Sequence, residues 1–127
     1  MKRDFLAITD FSSSELTDTI RFARELKEMR KVGKSPRPLA GVTVGTIFHK
    51  PSLRTRISFE TGIYELGGYS LYITKDEIDL GKRETIEDAA RVLSRYLGMI
   101  VIRTFSHRDV EKLAQHATIP VINGLTD

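Results

Sequence analysis

The chain has 127 residues, 40% of them hydrophobic and 29% charged, with no cysteine and a net charge of +3. That length suits one compact domain, and the charge level argues against wholesale disorder. The composition excludes a disulfide framework and a thiolate metal site, a membrane-spanning run of ~20 apolar residues, and a basic arm built for nucleic acid, because cations and acids are interleaved throughout.

The opening MKRDFLAITDF is not a secretory signal, since Asp4 and Asp10 break its apolar stretch. The expected setting is the cytoplasm. The first predicted element is a helix. Ser12 and Glu15 form a capping box, and Leu16, Ile20, Ala23 and Leu26 recur at helical spacing. It ends near Gly33, and Pro36 and Pro38 forbid its continuation through the loop KVGKSPRPLAG.

Residues 42–48 read as a buried strand, a nearly continuous apolar run rich in β-branched side chains. PSLRTR follows at 51–56. A second helix is predicted from Thr55 to about Leu66, carrying Phe59 and Ile63, with Gly67 and Gly68 as its stop. Residues 70–73 form a second strand. The polar loop TKDEIDLGKRE leads to a third helix capped by Thr85 with Asp88, whose apolar face is Ile86, Ala89, Ala90, Leu93 and Leu97. Residues 99–102 give a third strand, Ser106 and Asp109 cap a fourth helix carrying Val110, Leu113 and Ala117, and Pro120, Val121 and Ile122 open a fourth strand.

This alternation predicts an α/β fold of three layers, a parallel sheet of about four strands with helices on both faces. In such sheets ligands bind beyond the carboxyl ends of the strands. PSLRTR ends the first strand, Arg103 ends the third, and the DLGKRE loop follows the second, so the most charged loops share the functional edge.

A helix entered through PSLRTR presents unsatisfied N–H groups carrying partial positive charge, a ready anion site. Ser52 and Thr55 add hydroxyls, and Arg54 adds a planar fork able to grip two phosphate oxygens. The bland alternative is that Ser52 merely caps the helix and the arginines are solvated. Neither a GxxxxGK[ST] phosphate loop nor a GxGxxG dinucleotide fingerprint is present. His49, His107 and His116 stand singly; His49 lies near the predicted site, and the other two read as surface residues of the fourth helix.

FHKPSLRTRISFE at 48–60 resembles the signature of the carbamoyltransferases, usually written S-T-R-T-R. GIYELGG, DLGKRETIEDAARVLSRY, IVIRTFSH and VINGLTD resemble the same family in the same order, and the last two look most like its ornithine-specific members. The resemblance implies that residues 1–127 are the carbamoyl-phosphate-binding half of a homotrimeric enzyme whose amino-acid-binding domain is absent here. It implies that Ser52, Leu53 (through its backbone), Arg54, Thr55 and Arg103 bind carbamoyl phosphate, with Arg54, Thr55 and Arg103 catalytic. Asp79 and Lys82 would reach a neighbouring subunit's site, and Arg56 would be structural. No metal and no cofactor are implied, and neither nucleic acid nor membrane is an expected partner.

Three residues depart from the family pattern. Leu53 replaces a Thr, and SLRTR also occurs among enzymes acting on acylated ornithines. His49 stands where Glu is frequent. Asp79 stands where Gln or His is frequent, and it would repel a phosphate, so pairing with Lys82 or Arg83 is the alternative. The expected reaction is carbamoyl transfer to ornithine, giving citrulline and phosphate. A different acceptor (aspartate or an acyl-ornithine) and a noncatalytic phosphate-binding or trimerisation module are the competing readings. Without the second domain, the chain is expected to bind weakly and turn over little or nothing.

Overall fold

The computed structural model describes residues 2–79, 82 and 84–127. Four helices alternate with four strands: α1 (Ser13–Lys31), β1 (Thr43–Phe48), α2 (Leu53–Glu65), β2 (Tyr69–Ile73), α3 (Ile86–Tyr96), β3 (Met99–Arg103), α4 (His107–His116) and β4 (Val121–Leu125), after a short 3-10 turn at Ile8–Asp10. All strand pairs are parallel and the sheet order is β2-β1-β3-β4. The predicted α/β class is therefore what the chain adopts.

Strand alternation divides the core. Ile47, Ile100, Ile102 and Val121 point to one face, where they pack with Ile86, Ala89 and Ala90 of α3 and Val110, Leu113 and Ala114 of α4. Val44 and Val101 point to the other, against Ile63 of α2. Full burial of these branched side chains is what the apolar runs in β1 and β3 predict, because a parallel strand covered on both faces has no solvated side. The free edge of β4 is covered by the N-terminal segment: Phe5 donates to the Val121 carbonyl and accepts from Asn123 N–H.

Three helix starts follow the sequence reading. Ser12, Thr85 and Ser106 each accept a hydrogen bond from the backbone of the residue three positions on. At the C-terminus of α2, Gly67 adopts φ +96, a conformation that glycine enters without steric cost.

The first helix differs from expectation in its surroundings. None of its residues is buried, and Ile20 is 64% exposed. Its apolar face borders a groove of about 240 Å³ shared with Gly62 of α2 and Leu66 just after it, and an Arg30–Glu65 ion pair at 2.6 Å ties the two helices together. The periodicity of α1 thus marks a face that this part of the chain leaves largely uncovered.

Candidate anion-binding site

The connection leaving β1 moves to β2 on one side, and the connection leaving β3 moves to β4 on the other. The carboxyl ends of β1 and β3 therefore flank the point where strand order reverses, the place where open α/β sheets bind ligands. Phe48 and Arg103 are register partners there.

The chain leaves β1, passes Pro51 and enters α2 at Leu53, two residues earlier than the periodicity predicts. Ser52 stands immediately before it. It occupies the N-cap position in extended conformation, yet its hydroxyl makes no capping bond. It accepts instead from Arg103 Nη1 at 3.1 Å, and the same nitrogen donates to Thr55 Oγ1 at 2.8 Å. A guanidinium carried by the neighbouring strand has drawn both hydroxyls away from the helix. The first amides of α2 consequently keep their outward-pointing hydrogens without a side-chain acceptor.

Arg103 itself is incompletely satisfied. Its Nε is buried and has no hydrogen-bond partner, and among the described residues no carboxylate pairs with it. A half-buried cation held by neutral hydroxyls alone leaves an uncompensated charge, which favours an anion at that spot.

The two arginines of PSLRTR separate cleanly. Arg56 stacks over the Tyr72 ring at 3.8 Å and donates to Glu60 at 3.2 Å, so it braces α2 against β2. Arg54 is exposed on the first turn of α2 and forms no hydrogen bond or ion pair with any described residue. The side chain of Leu53 is 73% exposed, leaving its backbone as its contribution to the turn. A cleft of about 370 Å³ opens on the β2 side of this turn, lined by Pro51, Ser52, Leu53, Arg56 and Tyr72 among others. Arg54, Thr55 and Arg103 stand beside this cleft and do not line it.

Asp79 and Lys82 approach the same edge from the loop after β2. They line a smaller cavity of about 140 Å³ with His49, Lys75, Thr104 and Asp109. Lys82 N–H donates to the Asp79 carbonyl at 3.0 Å, but among the described residues their side chains form no ion pair. Pairing of Asp79 with Arg83 lies outside the described residues. No cluster of metal-ligating side chains occurs among the described residues.

His49 is engaged on both ring nitrogens, with Nδ1 3.1 Å from Thr104 Oγ1 and Nε2 3.0 Å from the Ile78 carbonyl oxygen. Burial pushes its pKa below the usual imidazole value, partly opposed by the Ile78 carbonyl and the Asp79 carboxylate. His107 is bonded to Thr126 at 2.8 Å and His116 to the Lys112 carbonyl at 3.0 Å, so both are structural members of the α4 end. Thr104 was invisible as a site-adjacent residue from sequence; its one signal is a hydroxyl following Arg103 at the end of an isoleucine-rich strand.

Residues 3–127 match the family model described as aspartate/ornithine carbamoyltransferase, carbamoyl-P binding domain. The chain belongs to this family. An ornithine carbamoyltransferase from Thermococcus kodakarensis is 53% identical over 125 residues, covering 98% of this chain and 40% of that protein. One from Anoxybacillus flavithermus is 51% identical with the same coverage. The solved ornithine carbamoyltransferase from Pyrococcus furiosus superposes with a TM-score of 0.95 at 47% identity, over 98% of this chain and 40% of that one. The chain thus spans about two-fifths of the length of these relatives.

Proposed function

We propose that this chain binds carbamoyl phosphate at the turn of residues 52–55 and Arg103, as the phosphate-binding part of an enzyme that carbamoylates ornithine. The single observation carrying this reading is Arg103: a half-buried guanidinium with an unpartnered Nε and no carboxylate partner among the described residues, anchored on the two hydroxyls that stand at an uncapped helix N-terminus. Family membership and the names of the relatives support carbamoyl phosphate as the anion and ornithine as the acceptor.

The chemistry needs no enzyme nucleophile. An amine attacks the carbonyl carbon, the carbonyl oxygen gains negative charge, and the C–O bond to phosphate breaks as the amine loses a proton. What accelerates this is charge stabilisation of the oxyanion and of the departing phosphate, together with alignment of the two reactants. Ser52, the backbone at Leu53 and Arg54 hold the phosphate oxygens. Thr55 and Arg103 lie between phosphate and carbonyl and support the oxyanion. Asp79 and Lys82 act across a subunit boundary.

Arginine biosynthesis in the cytoplasm is the corresponding role, and the assembly is a homotrimer in which two further copies cover exposed surface. The exposed Tyr69 and Leu71 on edge strand β2 support such an association. Sedimentation of the parent and of Leu71→Lys tests it: a trimer that the substitution dissociates is expected, and a parent monomer refutes it.

Because acceptor-binding residues are assigned to the second domain, this chain alone is expected to take up carbamoyl phosphate weakly and to form almost no citrulline. Calorimetric titration with carbamoyl phosphate, inorganic phosphate and sulfate tests the site. Saturable binding of carbamoyl phosphate, stronger than that of sulfate and lost in Arg54→Ala, is expected. Equal binding by the parent and Arg54→Ala sinks the assignment.

A further inference from the structure

Two strand ends and the loop after β2 meet around one imidazole. His49, the first residue after β1, donates its backbone N–H to the Arg103 carbonyl at 2.8 Å. Its ring Nε2 faces the Ile78 carbonyl oxygen, which only accepts, so Nε2 carries the hydrogen. In the neutral ring Nδ1 is then the acceptor, and the Thr104 hydroxyl donates to it. Both nitrogens are consumed by protein, and the ring has no atom left for a ligand. Asp79 and Lys75 from the loop after β2, Lys82 beyond it, and Asp109 from α4 share the cavity that the ring lines.

We propose that His49 is a positioning residue: its neutral ring clasps residues 74–79 to the ends of β1 and β3, and so holds Arg103 and the turn at 52–55 in the geometry that receives the anion. This rests on the anion-site reading above. The placement of the partners makes the case. Thr104 directly follows Arg103, Ser52 lies three residues after His49, and Asp79 directly follows Ile78. Ile78 is itself 5% exposed and packed into the larger core cluster, so the clasp joins the loop's buried anchor to both anion-binding strands. Without it, the loop of residues 74–79 loses its bond to the β1 exit, which stays tied to β3 and to the chain's end through the His49 backbone, Ser52 and Lys50.

The test combines amide hydrogen exchange with calorimetric titration by carbamoyl phosphate, on the parent and on His49→Ala, His49→Leu and His49→Gln. Leu fills the space without either bond, whereas Gln keeps an N–H for the Ile78 carbonyl. The Ala and Leu variants are expected to exchange the Glu77 and Ile78 amides at least about tenfold faster and to bind carbamoyl phosphate about tenfold more weakly, near the net worth of one neutral hydrogen bond. Gln is expected to recover most of both, a rescue that space-filling alone does not produce. Leu and Gln variants that bind alike, or an Ala variant that binds like the parent, overturn the positioning role while leaving the anion site intact. A parent that takes up no carbamoyl phosphate overturns the anion reading and this role with it.

Discussion

Arg103→Met separates a binding residue from a structural one. The substitution removes two hydrogen bonds from a charged donor, to Ser52 and Thr55, each worth about 1.5–3 kcal/mol. Three gains oppose that loss. The buried, unpartnered Nε disappears, relieving about 1–3 kcal/mol. Ser52 becomes free to cap α2, worth about 1 kcal/mol. A half-buried cation without a counter-charge is replaced by an apolar chain of similar length, which is often neutral or stabilising. The terms nearly cancel, so the ligand-free stability is expected to stay within about 1.5 kcal/mol of the parent's. At about 2.1 cal/mol/K of unfolding entropy per residue over 127 residues, that is a shift in Tm of no more than about 6 °C.

Ligand response should change far more. A ligand at 100 times its Kd raises the stability of the parent by about 2.7 kcal/mol, or about 10 °C on the same scale. In Arg103→Met the rise should vanish. The assay is calorimetric or spectroscopic melting with and without a chemically stable phosphonate analogue of carbamoyl phosphate. A variant that loses more than about 4 kcal/mol without ligand would show Arg103 to be a structural strut. A variant that keeps the ligand-induced rise would remove it from the site.

Arg54→Ala should leave Tm almost unchanged, within about 0.5 kcal/mol, because the side chain is exposed and bonds no described residue; titration should nevertheless show at least about a tenfold loss of carbamoyl phosphate affinity. Ile63→Ala should cost about 2–4 kcal/mol in urea denaturation, since Ile63 is the buried residue through which α2 packs on Val44 and Val101. The depressed pKa of His49, caused first by burial, means that its unfolded form takes up a proton more readily. Its contribution is complete above the unfolded value of about 6.5 and is lost as pH falls toward the folded one, so the stability–pH curve of His49→Gln should be flatter than the parent's just below pH ~6.5. Glu87, held down to about 2 chiefly by its bond to Lys112, stabilises above its ordinary range and loses that contribution as pH drops toward 2; Lys112→Met should flatten that acid limb of the stability–pH curve.

Much of the architecture was legible because its signals are local. Ser12, Thr85 and Ser106 cap helices by reaching three residues along their own chain, and the apolar runs of β1 and β3 announce strands buried on both faces. What was not legible depends on partners distant in sequence. The missing cap of α2 was not legible, because Ser52 bonds a guanidinium 51 positions away instead of its own helix. Arg54 and Arg56 carry the same chemistry two residues apart, and only the Tyr72 ring, delivered by β2, commits one of them to packing. His49 looked isolated because its partners lie 29 and 55 positions away. The face of α1 illustrates the reverse case. Its periodicity is clear in the sequence, but the helix packs little of that face against the rest of the fold, and none of its residues is buried.

The two departures from ordinary stability rules coincide at one place. A helix whose N-cap serine does no capping and an arginine without a counter-ion both occur where β1 and β3 end, while the other three helices are capped. Each departure alone is a modest cost; together they leave N–H groups and a cation that no carboxylate among the described residues neutralises. A sequence tuned for stability alone would let Ser52 cap α2 and would set a carboxylate against Arg103. Either change would put a protein group into the space of the proposed anion. On the proposed reading, the same residues cannot both complete the fold and leave room for an anion, and the core formed with α3 and α4 carries the stability that the turn at 52–55 does not supply.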